Sequence, residues 1–544
     1  MKSKRMARLT TLSLATTLAL FGLVGLLSLG SRPARVQAAS PIYVRTDGND
    51  ADCNGTVNAP YGPGAAPDCA LATIQQGVYS VDAGGTIIVA SGIYSRAVGI
   101  DRDLTLQGAG AGDTIVDGNR VTWGFHIAAG AKATIDDVTV RDCVYAFGGG
   151  IDNRGHLTVT NSIVSGNATT EDGDGGGIFN LGGKLVLSNT AVLSNTADRG
   201  GGGVFSIGQL TIVNSDVISN TAEDGGGVLN SDGTLTILNS SIRGNRALSP
   251  NAFGGGVFNG GVATLSKVSL SGNTATYTGN DDLRLGGAIH TQETMTLTNC
   301  TISGNAADYG GAISNSGDKL IIASTTIAGN KTAAGRTGSG GINNYGTITA
   351  TNTIIALNEN ANCFDEGTMH SAGHNLESAD DCGFDATGDL VNTDPHLGPL
   401  QDNGGHPTSS GQAPRTHALQ GGSPAIDAGT GVDCPTTDQR GVARPVDGDL
   451  DETATCDIGA YEFEPIDVYL HLAIRQSKMV DSRSSSRYLA DFRHLGDFYC
   501  CGRSQTLEKP QRHRFQRRTR QPLSAFRPWN ASGGPSGQLD FVRC

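Results

Sequence analysis

Apolar residues in the central part of the chain follow a short period of two. In pieces such as LTVTN, LTIVN and LTILN, which begin at Leu157, Leu210 and Leu235, large aliphatic residues alternate with polar ones. Alternation that is rich in β-branched side chains is typical of short, half-buried strands. No apolar piece of these repeats is long enough for a helix. The pattern therefore predicts an all-β structure.

A second, longer period groups these strands into units. Each unit has a GGGIFN-like, an LTVTNS-like and an IVSGN-like piece, and it ends in an Asn that follows the previous one after 25 to 32 residues. Three strands and three turns in about 25 residues are typical of one coil of a solenoid. We therefore expect a parallel β-helix with three short strands per coil. The unit-ending residues are Asn167, Asn195, Asn220, Asn245, Asn273, Asn305, Asn330 and Asn358.

The recurring residues have physical roles in such a coil. Inward Val, Ile and Leu of successive coils lie one strand spacing apart, ~4.8 Å, and stack into apolar columns. Glycine runs such as Gly200 to Gly203 are expected to supply corners with positive φ. The unit-ending Asn tolerates the left-handed conformation, and its amide can hydrogen-bond the same amide of the next coil.

The ends of the solenoid need protection. Leu71, Ile74, Val78 and Val81 have the spacing of an amphipathic helix, which would cover the first coil. We expect residues 39–140 to form this cap and the first coils, and residues 141–400 to form the repeats. Residues 401–465 would then pack at or near the C-terminal end.

The two termini differ from the body. Residues 1–38 combine basic residues, an apolar run and small residues before Ala39, which predicts a secretory signal peptide; a retained membrane anchor is the alternative. Residues 475–544 hold 14 Lys or Arg against 5 Asp or Glu and show no repeat. For residues 466–544 we favour a disordered or out-of-frame tail over a basic binding arm. The body is expected to be secreted or to lie on a bacterial cell surface, without a membrane span after cleavage.

Charge limits the partners of the chain. The formal net charge of −13 becomes −19 when residues 1–38 are removed. A strongly acidic body argues against nucleic acid as a partner, whereas its carboxylates could hold Ca²⁺, the one cofactor that the sequence suggests.

Eleven cysteines are consistent with an oxidising compartment. Cys143 and Cys300 fall within repeat strands and are expected to be buried free thiols. Three pairs flank loops and are predicted to form disulfides: Cys53 with Cys69, Cys363 with Cys382, and Cys434 with Cys456.

A few acidic clusters are candidates for chemistry. Asp136, Asp137, Arg141 and Asp142 in TIDDVTVRDC could share one outward face, where carboxylates and an arginine could act in acid–base catalysis on a glycan. An acidic chain also produces such clusters by chance, and we favour that interpretation here.

Three oxygen-rich turns are candidate calcium sites. The spacing in DGDLDE resembles that of calcium loops, although Ile458 stands where an EF-hand has its final Glu. Ordinary solvated turns are the alternative that we favour for each. The candidates are Asp447, Asp449 and Asp451; then Asp47, Asn49 and Asp52; and then Glu171, Asp172 and Asp174.

Several segments resemble known families. IYVRTDGNDADCNG and ATIQQGVYSVDAGGTIIVASGIY resemble the opening of secreted members of the right-handed parallel β-helix superfamily that includes pectate lyases, and GGGIFN and GGAISN resemble the repeats of polymorphic outer-membrane proteins. SPAIDAG, DQRG and DIGAYEF, between Gly421 and Glu464, are similar to the choice-of-anchor Q domain of bacterial surface proteins. These resemblances imply export and a surface location but no particular reaction.

Two functions remain open at this stage. The first is a non-catalytic β-helix that displays an extended face for adhesion or for contact with cell-surface glycans. The alternative is a polysaccharide lyase or glycoside hydrolase that acts on acidic polysaccharide, which the fold resemblance alone suggests.

Overall fold

In the computed structural model, residues 40–276, 283–332 and 338–465 are described. The predicted signal peptide and the basic tail lie outside the described residues. The chain winds through short strands, each of which pairs in parallel with the equivalent strands of the preceding and the following coil. The predicted fold class, an all-β right-handed parallel β-helix with three strands per coil, is confirmed.

Sheet 1 contains the longest strands of each coil. Their residues alternate between the core and the outside, as the period of two predicts: Leu157 and Val159 are buried, whereas Thr158 between them points outward. The strands are Ile42–Val44, Gly85–Val89, Leu104–Gln107, Lys132–Asp136, His156–Thr160, Lys184–Ser188, Gln209–Val213, Thr234–Leu238, Val262–Ser266, Met295–Thr298, Leu320–Ala323, Thr347–Thr351 and Thr368–Ser371.

Sheet 2 follows sheet 1 in each coil after a tight turn. Its strands are Gly92–Tyr94, Thr114–Asp117, Thr139–Arg141, Ile163–Ser165, Ala191–Leu193, Asp216–Ile218, Ser241–Arg243, Ser269–Ser271, Thr301–Ser303, Thr326–Ala328, Ile354–Ala356 and Leu376–Glu377.

Sheet 3 completes the coil after a loop of variable length. Its strands are Val98–Ile100, Phe125–Ile127, Ile151–Asn153, Ile178–Asn180, Val204–Ser206, Val228–Asn230, Val257–Asn259, Ile289–Thr291, Ile313–Asn315, Ile342–Asn344 and Cys363–Asp365.

Short strands in the loops between sheets 2 and 3 also pair from coil to coil. Val144–Phe147 pairs with Ala168–Asp174, and five further strands form a narrow sheet. These five are Thr221–Ala222, Arg246–Ala247, Thr274–Ala275, Ala306–Ala307 and Lys331–Thr332.

The core consists of columns of aliphatic side chains that run along the solenoid. Leu187, Ile212, Ile237 and Leu265 stand in register on consecutive strands of sheet 1, and all are fully buried. Because each inward residue contacts its equivalents one coil away, one apolar shape must recur in every coil.

The unit-ending asparagines form the predicted ladder. Asn195 donates from Nδ2 to Oδ1 of Asn220 at 3.0 Å, and its backbone N–H donates to the same oxygen at 2.9 Å. The positive φ falls on the residue before each ladder asparagine, at Ser194 (52°) and Ser219 (55°), and on the asparagines of the turn between sheets 1 and 2, such as Asn189 (49°) and Asn214 (50°). The ladder side chain is turned into the core by the left-handed residue before it.

The glycine runs serve two purposes rather than one. Gly201 has a φ of 65°, as expected for a corner. The next residue, Gly202, is restricted by space, because a Cβ at this position would lie 2.4 Å from the carbonyl oxygen of Thr221.

The N-terminal helix spans Ile74–Ser80, so it is shorter than the predicted run. Thr73 caps it by accepting a hydrogen bond from the N–H of Gln76, and Leu71 lies before the helix in a bridge with Val44. Ile74 and Val78 are buried against the first strands, in agreement with the capping role.

Within the described residues, no helix has the length and apolar character required to cross a membrane.

The parallel coils end at Glu377, earlier than the expected residue 400, and are followed by an antiparallel hairpin of Leu397–Gln401 and Thr416–Leu419. Residues 401–465, the C-terminal segment, do not remain at the end of the solenoid. They run back along the outer face of sheet 2, where Thr437 accepts a hydrogen bond from Lys267 and Thr408 donates one to Asp216. The small Ser and Thr side chains of these sheet 2 strands leave room for this close contact.

Candidate functional site

The middle residue of each sheet 3 strand points away from the core and forms a row along the solenoid. His126, Asp152, Phe179 and Phe205 stand in register in this row. Phe179 and Phe205 are covered by the loops that precede sheet 3, and the exposed fraction of each is below a tenth. His126 is open to solvent, because the loop before its strand is short.

His126 and Asp152 form a hydrogen-bonded pair. The distance from Nδ1 of His126 to Oδ2 of Asp152 is 2.9 Å, and the same carboxylate oxygen lies 3.1 Å from Nε of Arg154. The side chain of Asp152 is 2% exposed and that of His126 is 39% exposed. A buried carboxylate that holds one ring nitrogen leaves Nε2 of the imidazole directed at solvent, an arrangement suited to proton transfer.

Aromatic rings lie in the loops that precede the strands of His126 and Asp152. The rings of Trp123 and Tyr145 lie 4.8 Å apart, and those of Phe147 and Phe179 lie 5.2 Å apart. Tyr145 and Phe147 are each exposed by almost two fifths. Flat apolar rings beside a few polar groups are typical of ligand sites and stack well on the faces of sugar rings. We call His126, Asp152, Arg154, Trp123, Tyr145 and Phe147 together the His126 surface.

The predicted cluster in TIDDVTVRDC is split by the fold. Asp136 and Asp137 lie at the turn between sheets 1 and 2, where Asp136 accepts a hydrogen bond from Asn161 at 2.9 Å. Burial, together with the charge of Asp136, raises the pKa of Asp137. These two carboxylates therefore do not share a face with Arg141 and Asp142.

Arg141 and Asp142 lie at the other end of the sheet 2 strand. Nε of Arg141 is 2.8 Å from Oδ2 of Asp117, and Arg120 lies 3.8 Å from Asp142. The arrangement is a set of surface ion pairs with balanced charge. The expectation of one four-residue face is wrong, because the strand Thr139–Arg141 separates its two halves.

The best candidate calcium site differs in one residue from the predicted set. Oxygen atoms of Asp427, Asp447 and Asp449 lie within 4.8 Å of one another. Asp451 instead accepts a hydrogen bond from the N–H of Thr453 at 2.7 Å, which closes its own turn. Oδ1 of Asp447 is buried and has no hydrogen-bond partner among the described residues. Three carboxylates at this distance suit a hard cation such as Ca²⁺.

Calcium binding at this turn can be tested by thermal unfolding. We expect millimolar Ca²⁺ to raise the melting temperature of the protein, because a ligand that binds the native state stabilises it by mass action. Asp447→Asn should reduce this shift, whereas the matched change Asp451→Asn should not. An equal calcium shift in both variants and the wild type would contradict a site at these carboxylates.

The other two acidic turns are occupied by internal contacts. Asp47 pairs with Arg45 at 2.7 Å, and Nδ2 of Asn49 donates to Asp52 at 3.0 Å. Asp174 accepts a hydrogen bond from the N–H of Gly200 at 2.9 Å. Glu171 and Asp172 lie in the same strand as Asp174. Among the described residues, no group of three His, Cys, Asp or Glu ligand atoms forms at either turn.

The motifs DQRG and DIGAYEF meet in a buried ion network. Nε of Arg440 lies 2.8 Å from Oδ2 of Asp438, and Nε of Arg444 lies 3.1 Å from Oε2 of Glu462, without the alignment of a hydrogen bond. Asp457 is also fully buried in this network. Three carboxylates face two guanidinium groups, so the motifs hold the C-terminal segment together rather than forming an open site.

This network makes stability depend on pH. Burial, and then the charge of Glu462, raises the pKa of Asp457 to about 8. Because its folded pKa lies above the ordinary value, the stabilisation from protonated Asp457 is complete in acid and is lost as pH rises through about 8. We expect the melting temperature to fall between about pH 5 and about pH 9, and to fall less steeply in Asp457→Asn. Identical slopes in the two proteins would contradict this origin.

The structure joins the six loop cysteines in pairs and leaves two thiols in the core. Cys143 and Cys300 are buried, and burial raises the pKa of each to about 12, so neither is a ready nucleophile. The disulfides link Cys53 to Cys69, Cys363 to Cys382, and Cys434 to Cys456.

Sequence reasoning missed the His126–Asp152 pair. The two residues are 26 positions apart and no catalytic motif contains them. Both are the middle residue of a sheet 3 piece, FHI and IDN, where later units carry IFN or VFS. An alignment of these short pieces could have shown that polar residues replace aromatic ones at this place in the row.

Comparison with known proteins finds similarity in solved structures only. No family model matches the chain, and no curated protein matches its sequence. The chain is similar to the crystal structure of pectate lyase Pel9A (13% identity; 79% of this chain and 98% of that chain covered; TM-score 0.41) and to the complex of XylC with xylose (10%; 78% and 98%; 0.39). It is also similar to the A-module of the Azotobacter vinelandii mannuronan C-5 epimerase AlgE4 (15%; 57% and 86%; 0.22). The coiled fold of this chain is established by its own strand pairing rather than by these similarities.

Proposed function

We propose that this chain is a secreted or cell-surface β-helix that binds a polysaccharide chain at the His126 surface. The observation that carries the proposal is the ring pair of Trp123 and the exposed Tyr145, in the loops that precede the strands of the hydrogen-bonded His126 and Asp152. Aromatic faces provide apolar contact for sugar rings, whereas Nε2 of the imidazole provides an acceptor and the guanidinium group provides donors at their edges.

The cysteine pairs support the extracellular part of this proposal. Disulfides persist in oxidising compartments, and three of them join loops of this chain. The predicted signal peptide at residues 1–38 agrees with export.

A second candidate function is polysaccharide cleavage at the same surface, by a lyase or a hydrolase. The observation that favours it is the orientation of His126 by a buried carboxylate, which fixes the tautomer of the imidazole. In this function His126 would move a proton at Nε2. Arg154 would stabilise negative charge that develops on an acidic substrate.

Binding and cleavage can be separated by two sets of variants. The full chain would be incubated with a panel of plant and bacterial polysaccharides, and both retention and new reducing or unsaturated ends would be measured. Trp123→Ala combined with Tyr145→Ala should weaken binding about tenfold, because stacked rings supply a large part of such contacts. Tyr79→Ala, which removes an exposed ring on the N-terminal helix, is the matched control.

The His126→Ala variant tests catalysis. If His126 transfers a proton, turnover should fall about a hundredfold or more while binding persists. Turnover that does not respond to this change would eliminate the second candidate. A complete lack of binding across the panel would contradict the proposed function itself.

A further inference from the structure

The outer face of sheet 2 carries a cleft at the place where the C-terminal segment stops covering it. Two cavities of about 560 and about 350 Å³ lie side by side there, and Ile218 and Arg243 line both of them. Their combined size is in the range of sites for small organic ligands. The cleft lies on a different sheet from the His126 surface.

The floor of the larger cavity is apolar. Parallel register places Ile163 beside Ala191 in one outward column, and Leu193 beside Ile218 in the next. The side chains of each column are one strand spacing apart, ~4.8 Å, so the four form a continuous apolar floor. Ile163, Leu193 and Ile218 are each partly exposed to the cavity.

One wall of this cavity is held by a buried carboxylate. Oδ2 of Asp216 accepts hydrogen bonds from the hydroxyls of Thr408 and Ser409, both at 2.7 Å, and from the N–H of Ser410 at 2.8 Å. These three donors satisfy Asp216 and fix the tip of the C-terminal segment at the edge of the cleft. All three donors are on the C-terminal segment, so Asp216 serves to hold that segment in place.

The smaller cavity is basic. Arg243 follows Ile218 in the same outward column, and Arg415 reaches the cavity from the C-terminal segment, with the hydroxyls of Ser271 and Ser303 between them. Neither guanidinium group has a carboxylate oxygen within 4.0 Å among the described residues. The cavity therefore offers two guanidinium groups to an anion, in a chain whose net charge is −13.

We propose that this cleft binds an amphipathic organic anion, with an apolar ring on the floor of Ile163, Leu193 and Ile218 and an acidic group between Arg243 and Arg415. Covering the floor removes apolar surface from water. The planar guanidinium groups give charge-assisted, bidentate hydrogen bonds to sulfonate, sulfate or carboxylate groups. The apolar floor therefore selects for the ring of the ligand, and the arginines select for its acidic group.

A fluorescence titration with anilinonaphthalene sulfonate, a ring system that carries one sulfonate, tests the proposal on the full chain. We expect a single saturable site. The double change Arg243→Ala and Arg415→Ala should weaken it about tenfold, as the loss of two partly exposed charge contacts allows. Arg246→Ala, which removes an exposed arginine of the next strand, should leave the affinity unchanged.

A measurement on the wild-type protein guards against variants that fail to fold. Phenylglyoxal modifies accessible arginines, and bound probe should protect Arg243 and Arg415 but not Arg246, as read by mass spectrometry of peptides. Equal protection of all three, or wild-type affinity in the double variant, would overturn the proposal. If inorganic sulfate bound the cleft as tightly as the probe does, the apolar floor would contribute nothing to affinity. That result would overturn the proposal that the ligand is amphipathic.

Discussion

Ile237→Asp is expected to unfold the solenoid or to lower its free energy of unfolding by at least ~4 kcal/mol. Ile237 is fully buried between Ile212 and Leu265 of the neighbouring coils, so the new carboxylate would lie in an apolar column without a partner. Removal of the aliphatic side chain adds the cost of a cavity. Chemical denaturation followed by far-ultraviolet circular dichroism would measure the loss.

The neighbouring residue provides a matched control. Thr236 is on the same strand but points outward, so Thr236→Asp should change the free energy of unfolding by roughly 0.5 kcal/mol or less. A larger loss in Thr236→Asp than in Ile237→Asp would mean that the inward and outward positions have been exchanged, which is the result of a one-residue error in register.

Asn220→Ala is expected to cost about 2–4 kcal/mol. Oδ1 of Asn220 accepts hydrogen bonds from the N–H and from Nδ2 of Asn195, and Nδ2 of Asn220 donates to Asn245 and to the carbonyl of Val192. The substitution leaves these buried partners unsatisfied in a region that water does not reach, and each unpaired group costs free energy.

The same substitution at an exposed asparagine separates this effect from a general cost of alanine. Asn58 accepts one long hydrogen bond from Arg45 at 3.3 Å, in an exposed loop. Asn58→Ala should therefore leave the melting temperature almost unchanged. Asn220→Ala with the stability of the wild type would show that the ladder is dispensable in the native state.

The coils could be predicted from the sequence because their information is local and repeated. The alternation in LTIVN and LTILN specifies which residues point inward, and the recurring Asn specifies the length of a unit. The period does not specify backbone angles, so the left-handed residues Ser194 and Ser219 before the ladder Asn could not be read from it. The helix was predicted too long because Leu71, although apolar at the right spacing, pairs with Val44.

The candidate sites could not be predicted in the same way, because they depend on contacts between distant parts of the chain. His126 meets Asp152 only after register is fixed between two coils. Asp427 joins Asp447 and Asp449 through the folding of an irregular loop. The cleft with Arg243 and Arg415 exists because the C-terminal segment turns back over sheet 2. No sequence pattern in that segment predicts the direction in which it runs.

The path of the C-terminal segment also constrains how this protein can evolve. Solenoids commonly gain or lose whole repeats, because each coil contacts only its neighbours. Here the C-terminal segment is hydrogen-bonded to several coils at once, at Asp216, Ser303 and Asn352. Insertion or deletion of a coil between these residues would increase or decrease the distance between the hydrogen-bonded coils by ~4.8 Å. The fixed length of the segment therefore sets the distance between the coils that it contacts. We expect the number of coils within that span to be constant, whereas repeats outside it can vary.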